Sequence, residues 1–249
     1  MTVNPALVAS TTSTMAQDTL ALQQVFQSVH AESCPLNYNF HMHTVCSDGR
    51  LKPEALVEQV IELGLKGFAI TDHHSVQGYQ RAKAWLEDWQ WRHPKALRQS
   101  ASVGSQGQSS PQLPRLWTGI EITACLVDTD VHILGFAFKP AHDAIQPYLN
   151  GPAQGCDRMA EAVIHAIQAA GGLAVLAHPA RYRTKPTPLI TAAAGLGIDG
   201  VETYYAYDRP EVWRPSPAQT ETVEALAKQF GLLKTCGTDT HGLSLLRRI

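Results

Sequence analysis

This 249-residue sequence carries no excess of either charge: 20 Lys and Arg stand against 22 Asp and Glu, a formal net charge of −2. No overall basic field is offered to a nucleic-acid backbone, so such a substrate has to be gripped locally and no stable DNA complex is expected. Long apolar runs are also missing. No stretch reaches the roughly 20 residues that cross a bilayer, and no membrane partner is expected. Lys and Arg are absent from the first 49 residues, which therefore lack the positive start of an export signal; the expected location is cytoplasmic. Five cysteines (Cys34, Cys46, Cys125, Cys156, Cys236) are odd in number and show no CxxC spacing, which argues against a disulfide framework or a thiolate zinc site. Against these absences stand 44% apolar residues, enough for a full core, and 11 histidines.

The chain alternates short β-rich runs with helical periodicity. Residues 1–36 read as a Thr/Ser/Ala-rich tail and a helix over Gln17 to Ala31, with Leu22, Val25, Phe26 and Val29 on one face, packing on a main domain at residues 37–249. Strands are expected at 37–41, 67–71, 117–123, 131–138, 173–177, 200–203 and 232–236. Helices are expected at 53–63, 76–91, 157–170, 188–196 and 217–230, several closed by glycine. A Ser/Gln/Gly tract at about 99–112 reads as a loop insertion. Strands joined by helical crossovers imply an α/β fold with a parallel sheet, barrel or open. Only about seven residues join the third and fourth strands, too few for a helix; a barrel would be distorted there.

Phe40-His41-Met42-His43 follows the first strand, and extended residues i and i+2 point to one side about 6.5 Å apart, so both imidazoles can reach one cation. Alone, such a pair is weak evidence. Each later strand end adds a polar group, however: Asp72-His73-His74, Glu121, His132, His178, Glu202 and Asp239-Thr240-His241. In parallel α/β barrels these ends meet on one face. A buried set of histidines and carboxylates would be costly without cations. Imidazole and carboxylate without thiolate suit Zn, Mn or Fe, and the surplus of donors suggests more than one ion, with a carboxylate such as Glu121 as the natural bridge.

The runs HMHTVCSDG, GLKGFAITDHH, TGIEI, DVHILGF, AVLAHPARY, GIDGVETYY and GTDTHG, from about Tyr38 to Gly242, resemble the PHP (polymerase and histidinol phosphatase) domain family of metal-dependent phosphoesterases. The resemblance implies a distorted seven-stranded (β/α)7 TIM-like barrel with an N-terminal helical extension. It also implies a first ion on His41, His43, Glu121 and Asp239. A second would share Glu121 and add His132 and His178, and a third would use Asp48, His73 and His241. Glu121, Asp239 and His178 form the expected catalytic core. Members that hydrolyse nucleotide phosphates, including nucleoside bisphosphates and short RNA 5′ ends, are the most similar, although the family often has Asp where this chain has His74.

The reaction expected is hydrolysis of a phosphate monoester or diester of a small phosphorylated substrate, a nucleotide or short RNA, by hydroxide from a cation-activated water. Arg181, three residues after His178, is the candidate to hold the phosphate. His74 and Glu202 are further candidate substrate contacts, with Glu202 favoured as an orienter of a ligand histidine. Alternatives are a histidinol-phosphate-type phosphatase, an amidohydrolase, and a non-enzymatic module. The second should carry a bridging lysine at mid-barrel, and the third should have lost ligands.

Overall fold

The computed structural model describes residues 16–93, 113–208 and 210–249; the expected tail at 1–15 and the tract at 99–112 lie outside them. Helix α1 spans Thr19–Ser28, and Asp18 caps it by accepting from the Ala21 N–H at 3.0 Å. There follow β1 (Tyr38–Asn39), α2 (Pro53–Glu62), β2 (Gly67–Ala69), α3 (Gln77–Arg92), β3 (Arg115–Trp117), β4 (Gly119–Leu126) and β5 (Thr129–Phe136). After two 3-10 turns come α4 (Ala160–Ala169), β6 (Leu173–Leu176), α5 (Pro186–Gly195), β7 (Gly200–Tyr204), α6 (Pro217–Phe230) and β8 (Leu233–Cys236).

The architecture is mixed α/β, with eight strands in two sheets where the sequence suggests seven in one. β1-β2-β3 form a parallel sheet, and β4-β5-β6-β7-β8 form a second sheet in which β5 runs antiparallel to both neighbours. The expected third strand is divided between them, because Gly119 passes so close to β2 that a Cβ there would lie 2.4 Å from the Ile70 carbonyl oxygen. The short connection after it is a hairpin turn, Val127-Asp128, with φ of 50° and 52°, the left-handed pair that such turns need. Isolated bridges pair Met42 with Thr240 and His73 with Glu121, carrying hydrogen bonding from one sheet to the other. Among the described residues no helix is long and apolar enough to cross a membrane.

Three apolar clusters follow from this layout. Helices α2 and α3 cover the outer face of the smaller sheet, and α4, α5 and α6 that of the larger. Between the sheets Phe40, Trp117, Phe136, Val175 and Cys236 face one another, and α1 inserts Leu22 and Phe26 among them, with Phe26 5.0 Å from Phe40 and 5.6 Å from Phe136. Burying these two side chains contributes roughly 1.5–3 kcal/mol each. Thr19 Oγ1 donates to the Gly171 carbonyl just before β6, so α1 plugs the end where the parallel strands begin. The opposite end stays free for chemistry.

Candidate metal centre

At that opposite end the chain remains ordered past the last paired residues. Phe40 N–H donates to Cys236 O (3.1 Å), Asp239 N–H to His41 O (2.8 Å) and His43 N–H to Thr240 O (3.0 Å), so the two histidines and Asp239 sit on one hydrogen-bonded seam. Gly237 makes this possible, since a Cβ there would fall 2.2 Å from His41 Cβ. Asp239 and His178 both have positive φ, 50° and 26°, a strained backbone of the kind found where side chains are aimed at a ligand. The Asp72 carboxylate accepts from Thr44 N–H (2.6 Å), Thr44 Oγ1 (2.7 Å) and Ser47 Oγ (2.8 Å), and so fixes the turn that presents Asp48.

Glu121, 1% exposed, is the centre of the arrangement. Its Oε2 lies 3.1 Å from His41 Nε2, 3.0 Å from His43 Nε2 and 3.6 Å from His73 Nε2. Its Oε1 lies 2.7 Å from His132 Nδ1 and 3.4 Å from His178 Nε2. Asp239 Oδ1 is 3.4 Å from His41 Nε2 and 3.2 Å from His43 Nε2. Nearer solvent, Asp48 Oδ2 is 3.2 Å from His241 Nε2 and 3.8 Å from His73 Nε2, and Asp48 Oδ1 is 3.5 Å from His43 Nδ1.

Three groups thus hold donor atoms within 4.8 Å of one another: His41, His43, Glu121 and Asp239; His43, Asp48, His73 and His241; and His73, Glu121 and His132. The first is the set expected for one ion. The second adds His43 to an expected trio, and the third pairs Glu121 and His132 with His73, while His178 stands beside it.

The donor chemistry fits divalent cations. Several of these close pairs lack hydrogen-bond geometry: both ring nitrogens of His43 and of His178, Glu121 Oε1 and His132 Nδ1 are buried without a hydrogen-bond partner. A buried polar group in that condition costs about 1–3 kcal/mol. Yet ligands about 2.1 Å from a shared ion stand roughly 3.0–3.4 Å from each other, the spacing found here. The titration behaviour agrees. Burial works against the charge on His41, but Glu202, Glu121 and Asp239 outweigh it and hold the imidazole well above its usual range. His43, opposed by burial but facing Asp239 and Glu121, is raised to about 9. Glu121 and Asp239 are buried too, yet His41 and its neighbours drive both well below the carboxylate range. Burial lowers His73 to about 4 and lowers His178. The cage is built for concentrated positive charge.

The remaining candidates fall into different places. Glu202 is fully buried, its Oε1 3.0 Å from His41 Nδ1 and its Oε2 accepting from His178 N–H at 2.8 Å, so it orients two of the imidazole-bearing residues. Arg181 reaches the centre, but one of its N–H groups donates to Asp239 Oδ2 at 2.8 Å. His74 points elsewhere: its Nε2 accepts from Thr123 N–H (3.3 Å) and its Nδ1 meets the Tyr148 carbonyl (3.3 Å), with burial lowering its pKa. Two residues of the centre escape sequence reasoning. Tyr205 donates to Asp239 Oδ2 at 2.6 Å, and Arg248, which reads as a solvated basic end, donates to the same oxygen at 2.8 Å. Tyr205 lies in the quoted GIDGVETYY run, whereas nothing in the sequence marks Arg248.

A mixed α/β scaffold whose strand ends gather such a cage presents a candidate metal-binding centre. The PHP domain model matches residues 39–134, so this part of the chain is similar to that family. It is 25% identical over 256 residues to a 5′-3′ exoribonuclease of Haemophilus influenzae, covering 82% of this chain and 89% of that protein. It is 28% identical over 112 residues to the 5′-3′ exoribonuclease Rnm of Salmonella typhimurium, covering 45% of this chain but 31% of that protein, so this match spans about a third of the relative's length. Among solved structures, a protein of Bifidobacterium adolescentis assigned as a metal-dependent phosphoesterase aligns with TM-score 0.63 and 23% identity over 86% of this chain and 90% of its own. An amidohydrolase from Chromobacterium violaceum aligns with the same TM-score at 18% identity over the same shares. At those identities the two structures speak to the fold.

Proposed function

We propose that this chain is a PHP-type enzyme that hydrolyses a phosphate ester of a nucleotide or of the 5′ end of a short RNA, using two or three divalent ions, Mn, Zn or Fe. The observation that carries this reading is Glu121, whose two oxygens stand against imidazoles on both sides, as a bridging ligand's would. His41, His43, Glu121 and Asp239 would hold one ion. Glu121, His132 and His178 would hold a second, and Asp48, His73 and His241 a third. Bound ions of this kind acidify a water and neutralise phosphoryl oxygens.

The chain's own groups supply the positioning. Glu202 keeps His41 turned so that Nδ1 faces Glu202 and Nε2 faces the cage. Arg181 is about a third exposed and spends one N–H on Asp239, which leaves other guanidinium donors for a substrate phosphate. The exoribonuclease relatives favour RNA over a histidinol-phosphate-type substrate. A glutamate, Glu121, at the middle of the donors, where an amidohydrolase would commonly carry a lysine, supports ester over amide hydrolysis, and the gathering of the expected donors at one end disfavours a non-enzymatic module. The seam bridges also support reading the two sheets as a distorted barrel over residues 37–249, with residues 1–36 as its appendage.

The test is a panel of 5′-phosphorylated short RNAs, nucleoside 3′,5′-bisphosphates, histidinol phosphate and simple amides, each with Mn2+ and with chelator. Mn2+-dependent release of mononucleotide or inorganic phosphate from the nucleotidic members is expected. Release confined to histidinol phosphate, or of amine from the amides, would overturn the substrate class.

A further inference from the structure

Arg248 sits where the sequence offers no reason to place a functional group. Residues 243–249 form a strap across the edge of the centre, and its fastening is specific. Leu245 is fully buried in the cluster beneath α2 and α3, and its N–H donates to Gln59 Oε1 at 3.1 Å, while Gln59 Nε2 donates back to the Leu243 carbonyl at 2.9 Å. Thr240 Oγ1 bonds the Ser244 carbonyl at 2.7 Å. So held, the strap delivers Arg248 to two residues of the cage. Its Nε donates to Asp239 Oδ2 at 2.8 Å, and its carbonyl accepts the His241 N–H at 2.6 Å.

The consequence lies in how Asp239 is divided. Oδ2 receives Arg248, Arg181 and the Tyr205 hydroxyl, at 2.8, 2.8 and 2.6 Å. An oxygen with three donors has no lone pair left for a cation. Oδ1, by contrast, faces only imidazoles: His43 Nε2 at 3.2 Å, His41 Nε2 at 3.4 Å and His241 Nδ1 at 3.5 Å. Asp239 is therefore committed to offering one oxygen in one direction. Glu202 does the same service across the cage, holding one ring and one backbone amide.

We propose that Arg248 is a positioning residue of the metal centre, fixing Asp239 as a one-oxygen ligand through its guanidinium and His241 through its carbonyl. The inference rests on reading the cage as a metal centre. The sign of its effect separates it from simple electrostatics. Deleting a positive charge beside a cation site should by Coulomb's law alone tighten cation binding. Deleting a group that orients a ligand weakens it, typically about 10- to 100-fold.

Mn2+ titration by calorimetry on the purified metal-free chain decides between these. Arg248→Ala is expected to weaken Mn2+ binding about 10-fold or more, Arg248→Lys to recover part of the loss, and Arg247→Ala, one residue away and exposed, to bind as the parent does. Unchanged or tighter binding by Arg248→Ala, or equal weakening by Arg247→Ala, would overturn the proposal. Should Arg248→Ala not fold, Arg248→Lys and Arg248→Gln still give the comparison, since both keep a long side chain while Gln drops the charge; an Arg248→Gln variant that binds Mn2+ like the parent overturns it. Asp239→Ala is the reference. If that variant also kept full Mn2+ affinity, the metal-centre reading itself would fail, whereas loss in Asp239→Ala with none in Arg248→Ala sinks only the role of Arg248.

Discussion

The inner and outer halves of the cage are made from the same residue types and differ in what surrounds them. Glu121 and Asp239 are almost wholly buried, 1% and 2% exposed, and each is hemmed in by imidazoles. Asp48 is 55% exposed, and its partners His73 and His241 are 24% and 20% exposed. In the buried half, a lost charge leaves its neighbours uncompensated in a low-dielectric setting; in the open half, water can take over. The lesson is that position, more than ligand type, should rank the effect of losing each carboxylate.

The sharpest break is Glu121→Gln, which should lower substrate hydrolysis at least about 100-fold and abolish the binding of more than one Mn2+ equivalent, because two groups of donors share this carboxylate. A Glu121→Gln variant that still binds several equivalents by calorimetry would contradict the bridging role. Asp48→Asn should act more mildly, about 10-fold on turnover, with loss of one equivalent at most. If its effect equalled that of Glu121→Gln, the contrast between the halves would be void.

The smallest effect is on stability. With metal removed, His43 has a folded pKa of about 9 against an ordinary 6.5. Its protonated form thus stabilises the fold fully below pH 6.5, and that contribution fades as pH rises through 9. Urea melts in chelator at pH 6.5, 7.5 and 9 should show declining stability across this window, and saturating Mn2+ should flatten the decline by replacing protons with cations. A metal-free chain equally stable at pH 6.5 and 9 would count against the buried half as drawn.

Much of this was readable from residue order. Period and punctuation place α1, α2, α3 and α6 to within a few residues, since each has an apolar face and several have glycine or proline at their ends. The strand ends that carry His41, Glu121, His178 and Asp239 do converge. Sheet division was not readable, because it turns on a three-dimensional near-contact at Gly119 that no local pattern encodes. For the same reason His74, adjacent in sequence to His73, is spent on Thr123 and Tyr148. Arg248 was illegible because its role depends on Leu245 and Gln59 folding a strap back over 186 positions of chain.

Which sheet supplies which donor has a mechanical corollary. His41, His43 and His73 extend from the three-stranded sheet, whereas Glu121, His132, His178, Asp239 and His241 extend from the five-stranded one. Cations seated among them would act as rivets between two plates that are otherwise joined at that end by two isolated bridges and the short backbone seam around them. Loading the cage would then tighten the whole molecule, and stripping it would loosen the join before either plate melts.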